Sequence, residues 1–312
     1  VELEIFTSRP TPAGTERTHL ERGLRAGVLM RLRPGACVLR HAWLEASPAD
    51  RHRAAMDALV LTARRPPVFA HESAALLHGI PVLSPWPEVP HLLDSELESP
   101  SRRSPRAAIV HRPRHRPDVT EVDGILTTDV VATAVALAAR HDLVAGVAAF
   151  DHVLAAGHDR TEIEHVLEAW APFHGHGRAW RALALATGLA ETPLESLSLV
   201  GIHLGGLLAP RQQVEFVARG RRYRTDFYWD EFRVIGEADG RVKYGSRADL
   251  IVEKEREDAL RSLGLGFARW GWDDAWARQP MLERLAEAGV VGAPRIRPCS
   301  AQNRRSRSGS AE

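Results

Sequence analysis

The chain predicts an α/β protein, α+β overall, on three observations. The stretch Thr225–Tyr244 (TDFYWDEFRVIGEADGRVKY) reads as strand, polar turn, strand. Residues 142–188 are rich in alanine and leucine and read as helices. Near the start, a helical pattern over Glu16–Ala26 is followed by two short strand-like runs.

Composition sets bounds on these elements. With 312 residues, the chain has room for two domains, or one with appendages. Hydrophobic content of 44% and charged content of 26% fit a soluble globular protein. The net charge is +1, from 41 basic and 40 acidic residues, so any nucleic-acid surface must be a local patch. Cys37 and Cys299 lie in different regions and form no CxxC pair, which argues against a disulfide framework or a zinc site and for a reducing cytoplasm. No apolar run approaches a membrane span. The opening Val-Glu-Leu-Glu-Ile lacks the basic segment and apolar core of a signal peptide. There is no 20–50-residue repeat.

In chain order, Thr15 caps the first helix and Gly27 lies near its end. Val28–Arg33 and Ala36–Arg40 are strands around a Pro34-Gly35 turn. Helix then two-stranded ribbon is the order of a winged helix-turn-helix. Arg17, Arg22 and Arg25 would then face the DNA groove, and Arg31, Arg33 and Arg40 would lie on the wing. The competing reading is an ordinary helix and hairpin with solvated arginines, and Glu16 and Glu21 dilute the patch. Ala49–Arg64 is helical, ended by Pro66-Pro67. Val68-Phe69-Ala70 is a short strand, and His71-Glu72-Ser73 starts a helix, Ala74 to His78, closed by Gly79. Segments 88–93, 107–111 and 124–127 are strand-like, and Thr128 is placed as the cap of the next helix. His71, Glu72 and His78 do not make a metal site on this reading. His71 and Glu72 are adjacent and point apart on a helix, and a helix-start His-Glu-Ser reads as capping. Gly157-His158-Asp159 breaks the helical region, with Thr161 as a cap, and Phe173–Gly177 breaks it again. His174 and His176 there read as loop residues.

Thr192-Pro193-Leu194-Glu195 is a capping-box pattern that opens a helix with Leu194, Leu197, Val200 and Leu204 on its buried face. Gln212–Phe216 is a strand, Gly220 a turn, and Arg221–Arg224 leads into Asp226. A hairpin over Asp226–Ala238 makes the ends of its two strands neighbours, so Asp226 and Glu237 converge. Asp239 shares a strand face with Glu237. Converging carboxylates repel, and burial makes each charge costlier. A hard divalent cation such as Mg²⁺ or Mn²⁺ relieves both, and is the ion that phosphodiester hydrolysis uses. Lys243 follows closely enough to orient water or meet developing charge. The plain alternative is an amphipathic hairpin with acidic turns. A helix from Ser246 or Arg247 to about Leu263, a strand over Phe267–Trp272 and a segment over Ala275–Ala288 complete this unit. Pro298–Glu312 is polar and reads as disordered.

Two resemblances attach to these residues. Pro193-Leu194-Glu195-Ser196, Arg224-Thr225-Asp226-Phe227, Gly236-Glu237-Ala238-Asp239-Gly240, Glu255-Arg256-Glu257-Asp258, Leu260, Gly264 and Arg269-Trp270 resemble the Vsr-like branch of the PD-(D/E)XK endonuclease superfamily. That resemblance implies a restriction-endonuclease-like αβββαβ core, metal-binding acids at Asp226 and Glu237, and a helix acid at Glu195. The family's usual lysine falls at Asp239, so this chain departs from the pattern there. Gly27-Val28 to Gly35, His71-Glu72-Ser73-Ala74-Ala75 with His78-Gly79, His111 and Thr127-Thr128-Asp129 resemble AbiEi-like antitoxins. That resemblance implies an N-terminal winged helix, a mixed α/β region and a DNA-binding repressor of a type IV toxin–antitoxin system.

The expected organisation is a winged helix over 1–45, a mixed α/β region with a helical linker over 46–188, a nuclease-like unit over 189–290 and a disordered tail over 291–312. The expected function is a cytoplasmic, DNA-binding, Mg²⁺-dependent phosphodiesterase. Glu195, Asp226, Glu237, Asp239 and Lys243 would form its catalytic set, and the first three would hold metal. The rival is a non-catalytic repressor or antitoxin with a cognate toxin partner, or a homodimer. Asp239 in place of lysine favours the rival; retention of both Asp226 and Glu237 favours the enzyme.

Overall fold

The computed structural model describes residues 3–7, 15–94, 108–239 and 247–292, with the side chains of 15–17 and 247–253 left aside. Mixed helices and sheets run throughout, as the α/β expectation requires.

At the start, β1 (Phe6–Thr7), α1 (Thr15–Arg25), β2 (Leu29–Arg33) and β3 (Ala36–Leu39) form a helix and a three-stranded antiparallel sheet in the order β1-β3-β2. Gly35 takes a positive φ of 86° to close the β2–β3 turn. The sheet packs Val38 against Leu3, Ala46 and Ala54, the last from α3 (Pro48–Thr62). Two expectations are corrected here. Arg40 ends no strand but opens a short helix, α2 (Arg40–Glu45). The ribbon also gains a third strand, β1, too short and too weakly patterned to be read from sequence.

Next come α4 (His71–His78), β4 (His91–Leu93), β5 (Ile109–His111), β6 (Val119–Val122) and β7 (Ile125–Thr128). Helix α4 begins at His71, the start of the His-Glu-Ser stretch, and stops at Gly79 in the left-handed region. Strands β4 and β5 pair parallel, and β6 and β7 form a hairpin. Phe69 bridges both pairs, to Leu92 and to Thr127, so the expected strand at Val68–Ala70 survives as a single bridging residue. Strand β6 carries no strand pattern of its own, because Val119–Glu121 are exposed and lack core-facing alternation. The Asp123-Gly124 turn, with φ of 50° and 77°, is the hairpin signal there.

Four helices follow: α5 (Val130–Arg140), α6 (Leu143–Ala155), α7 (Arg160–Trp170) and α8 (His176–Leu185). They share one apolar core built on Val135, Phe150, Ile163, Leu167 and Leu183. The caps differ from the expected ones. Asp129, not Thr128, caps α5 by accepting from the Ala132 amide at 2.9 Å. Thr128 is occupied with the Thr133 hydroxyl at 2.7 Å. Asp159 starts α7 in place of Thr161, its amide donating to Glu162 Oε1 at 3.2 Å. An aspartate carboxylate accepts more strongly than a threonine hydroxyl, and its charge suits a helix N-terminus.

The last unit runs α9 (Pro193–Leu204), β8 (Arg211–Ala218), β9 (Arg221–Trp229), β10 (Val234–Ala238), α10 (Arg247–Arg261), β11 (Gly266–Trp270), α11 (Trp272–Ala277) and α12 (Gln279–Glu287). The sheet order is β11-β10-β9-β8, antiparallel except for the parallel β10–β11 pair. Strand alternation sorts the side chains. Phe227, Trp229, Val234, Ala268 and Trp270 pack with Leu194, Leu197, Ile202, Met281 and Leu285 from α9 and α12. Tyr228 and Ile235 pack with Leu260 and Leu265 on the other side, where α10 lies. Buried Asp151 fastens α6 to this unit. It accepts from the Thr187 and Gly188 amides at 2.8 and 2.9 Å and from the Ser196 hydroxyl at 2.6 Å.

Candidate functional site: the acidic end of the four-stranded sheet

Register brings the acids together. Gly236 pairs with Phe227, so the next pair outward is Glu237 with Asp226. The regular ladder stops there, and the Asp226 side chain takes over: its Oδ2 accepts from the Ala238 amide at 2.8 Å. On the other side of β9, the β8 ladder skips Gln213, the residue opposite Asp226, whose φ is +54°. Such a conformation costs about 1–3 kcal/mol for a non-glycine residue and recurs where a side chain is re-aimed at a functional site. Here it sends the Gln213 amide to Glu195 Oε2 at 2.9 Å.

Glu195 is 4% exposed at the first turn of α9. Both of its oxygens have donors: Thr192 Oγ1 at 2.9 Å, the Glu191 amide at 3.0 Å and Gln213. The capping-box reading of the sequence therefore describes real bonds, with the Glu191 amide rather than that of Thr192 as the backbone donor. Burial still holds the Glu195 carboxyl above its ordinary range, against those donors.

Asp226 is the least compensated acid. Burial, with Glu195 and Glu191 nearby, pushes its carboxyl up from 3.8 to about 6, although the Ala238 amide and Arg256 oppose the rise. Glu237 is neutralised instead by arginines. Its Oε1 lies 2.5 Å from Arg256 Nη1 and its Oε2 3.0 Å from Arg269 Nη2. Burial raises its carboxyl, and the two guanidinium groups work against that. Asp239 sits 3.9 Å from Arg269 Nε, and Glu257 3.8 Å from its Nη2. Arg256 also donates to the Arg224 carbonyl at 2.8 Å, and Arg224 pairs with Glu191 at 2.5 Å.

The structure thus brings Glu195, Asp226, Glu237 and Asp239 to one end of the sheet. Lys243 lies outside the described residues. Sequence reasoning missed Glu191, and gave Arg256 and Arg269 no part in holding Glu237. Their signal was present as arginines one strand and one helix beyond the acids, but no spacing rule links them. Among the described residues, no group of three or more His, Cys, Asp or Glu is gathered to hold a metal ion. A hard divalent ion that keeps several waters needs only one or two carboxylates, and Asp226, with one oxygen beyond the Ala238 bond, fits that role.

Of the arginines expected on DNA, Arg22, Arg25 and Arg31 are exposed. Arg25 lies 3.8 Å from Glu21. Arg33 is half-buried, its Nε and Nη1 are buried, and burial lowers its guanidinium's pKa. The Arg17 side chain is outside the described set.

Glu72 is corrected. It makes no helix cap. It is buried, 2.6 Å from His91 Nδ1, 2.7 Å from His141 Nε2 and 3.4 Å from Arg140 Nε. Burial opposes its ionisation, yet the His141 and His91 hydrogen bonds outweigh that and hold its carboxyl far below the usual range. His91 and His141 come from a strand and an inter-helix loop distant in sequence, so no local pattern announced them.

Compared with protein-family models, curated proteins and solved structures, the chain shows no match to any.

Proposed function

We propose that this protein is a DNA-binding phosphodiesterase whose reaction centre is the acidic end of the four-stranded sheet. The observation that carries this reading is Asp226: a partly buried carboxylate, raised to about 6 by its surroundings, beside two further acids and a strained Gln213. The order α9-β8-β9-β10-α10-β11 is the αβββαβ order expected of a restriction-endonuclease-like core, and the helix plus antiparallel ribbon at the start supports a winged-helix reading.

Asp226 would hold Mg²⁺ or Mn²⁺, with Glu237 joining it once exchanged from its arginines. When bound, the ion supplies Lewis acidity toward the phosphoryl oxygen and a lowered pKa for water. Glu195 keeps the local field negative and, through Gln213, fixes the strand edge beside Asp226. Arg256 and Arg269 are placed to take phosphate charge if Glu237 turns to the ion. Exposed Arg22, Arg25 and Arg31 supply phosphate contacts away from the reacting bond.

The test is cleavage of supercoiled and linear DNA with Mg²⁺ or Mn²⁺, comparing wild type with Asp226→Ala and Glu237→Ala. Metal-dependent cutting lost in both variants supports the reading; cutting that persists in both removes this site from the reaction.

A second reading has its own observation. Glu237 is already paired with two guanidinium groups, the neutralisation a metal would otherwise provide. On that reading the fold binds DNA without cutting it, as a repressor or antitoxin. Salt-steep DNA affinity without cleavage is its signature.

A further inference from the structure

A cavity of about 690 Å³ lies away from the acidic hairpin, between the start of α4, β5, the loop after it, α5 and the α7–α8 connection. That size falls in the range of small-molecule sites. Its wall combines three kinds of chemistry. Ala132, Ala136 and Ala139 line it from one face of α5, a stripe with almost no side-chain bulk. Trp170 and Phe173 add aromatic surface, their rings edge to face at 6.3 Å. Arg114 and Arg140 are exposed cations on the same cavity.

The histidines are the unusual part. His71 and His111 line the cavity with ring centroids 3.8 Å apart. His71 Nδ1 and His111 Nε2 are buried and have no hydrogen-bond partner among the described residues. An unpartnered buried polar atom costs about 1–3 kcal/mol. His71 also takes a φ of +51°, a further strain of about 1–3 kcal/mol. Burial, with His111 beside it, lowers the His71 imidazole to about 3, and burial with His91 lowers His111 to about 4. Both rings are therefore neutral at pH 7, each with one donor and one acceptor nitrogen. Behind them Glu72 fixes His91, His141 and Arg140. A position serving only packing would be better filled by an apolar residue.

We propose that this cavity binds a nucleotide unit, a planar heteroaromatic base bearing a phosphate. The base lies on the alanine stripe against Trp170 and Phe173, with His71 and His111 in the wall beside it, and the phosphate faces Arg114 and Arg140. A purely apolar ligand would leave the exposed cations Arg114 and Arg140 unused; a bare anion would leave the aromatic wall wet. The same chemistry comes from a free mononucleotide or from a nucleotide turned out of a DNA strand. Neither Asp226 nor Glu237 lines this cavity, so loss of nucleotide binding here and loss of cleavage there are separable.

The experiment is calorimetric titration of the full chain with each deoxynucleoside monophosphate, with deoxyribose 5-phosphate and with Zn²⁺. At least one nucleotide should bind saturably, and about tenfold more tightly than the sugar phosphate, since base contacts are worth roughly one buried hydrogen bond or more. His111→Ala should weaken it by a similar factor. Ala136→Phe, which puts an aromatic side chain into the cavity from α5, should abolish it. Arg114→Ala, at an exposed position, should weaken nucleotide and sugar phosphate alike. Displacement of the nucleotide by a short single-stranded oligonucleotide assigns the site to a strand; no displacement assigns it to the free nucleotide. The proposal is overturned by no saturable nucleotide binding at millimolar concentration, by binding unchanged in the Ala136→Phe and Arg114→Ala proteins, or by Zn²⁺ binding with none of nucleotide.

Discussion

Asp226→Asn should stabilise this protein at neutral and alkaline pH. The folded carboxyl sits at about 6 against an ordinary 3.8, so the folded state holds a proton that the unfolded chain has released. Between those values stability falls as pH rises, because the unfolded state binds fewer protons there. The rise from 3.8 to about 6 corresponds to about 3 kcal/mol, an upper figure because Asp226 keeps some contact with solvent. Asparagine keeps an oxygen for the Ala238 amide and removes the charge, so most of that penalty should disappear. The assay is urea denaturation of wild type and Asp226→Asn at several pH values from 4 to 8. The two curves should agree near pH 4, where both folded side chains are uncharged, and separate progressively above it, the variant being more stable by about 1–3 kcal/mol at pH 8. Mg²⁺ should then raise the wild-type midpoint and leave that of the variant unmoved, since an ion bound only to the folded state stabilises it. A variant that is equal to or less stable than wild type at pH 8 would refute the reasoning. It would mean that Asp226 is already compensated.

Other outcomes follow from the same geometry. Arg269→Ala should destabilise by about 3 kcal/mol in chemical denaturation, because it strips one partner from buried Glu237; adding Glu237→Met should recover much of the loss. Gly236→Ala should cost about 1–3 kcal/mol and disturb the near-ultraviolet tryptophan signal, since its Cβ would fall 2.7 Å from Trp270 and 2.9 Å from Trp229. Glu72→Gln should cost about 3 kcal/mol in the same assay, with His91 and His141 losing the charge that holds them. Gly175→Ala should give little folded protein on expression, because a Cβ there would sit 2.0 Å from the Ala139 carbonyl oxygen at a φ of +84°.

The acidic hairpin was legible because local rules govern it. Asp226 and Glu237 converge through strand alternation and a short turn, and Glu195 sits in its capping box because Thr192-Pro193 starts a helix there. What surrounds those acids was not legible. Arg256 and Arg269 reach Glu237 from a helix and a parallel strand, and parallel register depends on a crossover that no local pattern encodes. Caps were misassigned at Thr128 and Thr161 for a simpler reason. A better acceptor, Asp129, stood beside Thr128 and took the role, and Glu162 reaches back to the Asp159 amide so that α7 starts two residues before Thr161.

The sequence by itself determined the mixed α/β class, the helical stretch over 142–188 and the pairing of Asp226 with Glu237, since each follows from periodicity or turn chemistry within some twenty to fifty residues. Only the tertiary structure decided which charges those acids meet and that Arg33 is half-buried. It alone made Glu72, which a helix-start pattern assigned to capping, the hub of His91, His141 and Arg140. The physical reason is common to all of them. A side chain's ionisation and partners are set by what folding packs around it, and His91 and His141 reach Glu72 from segments whose order in the chain does not predict their meeting in space.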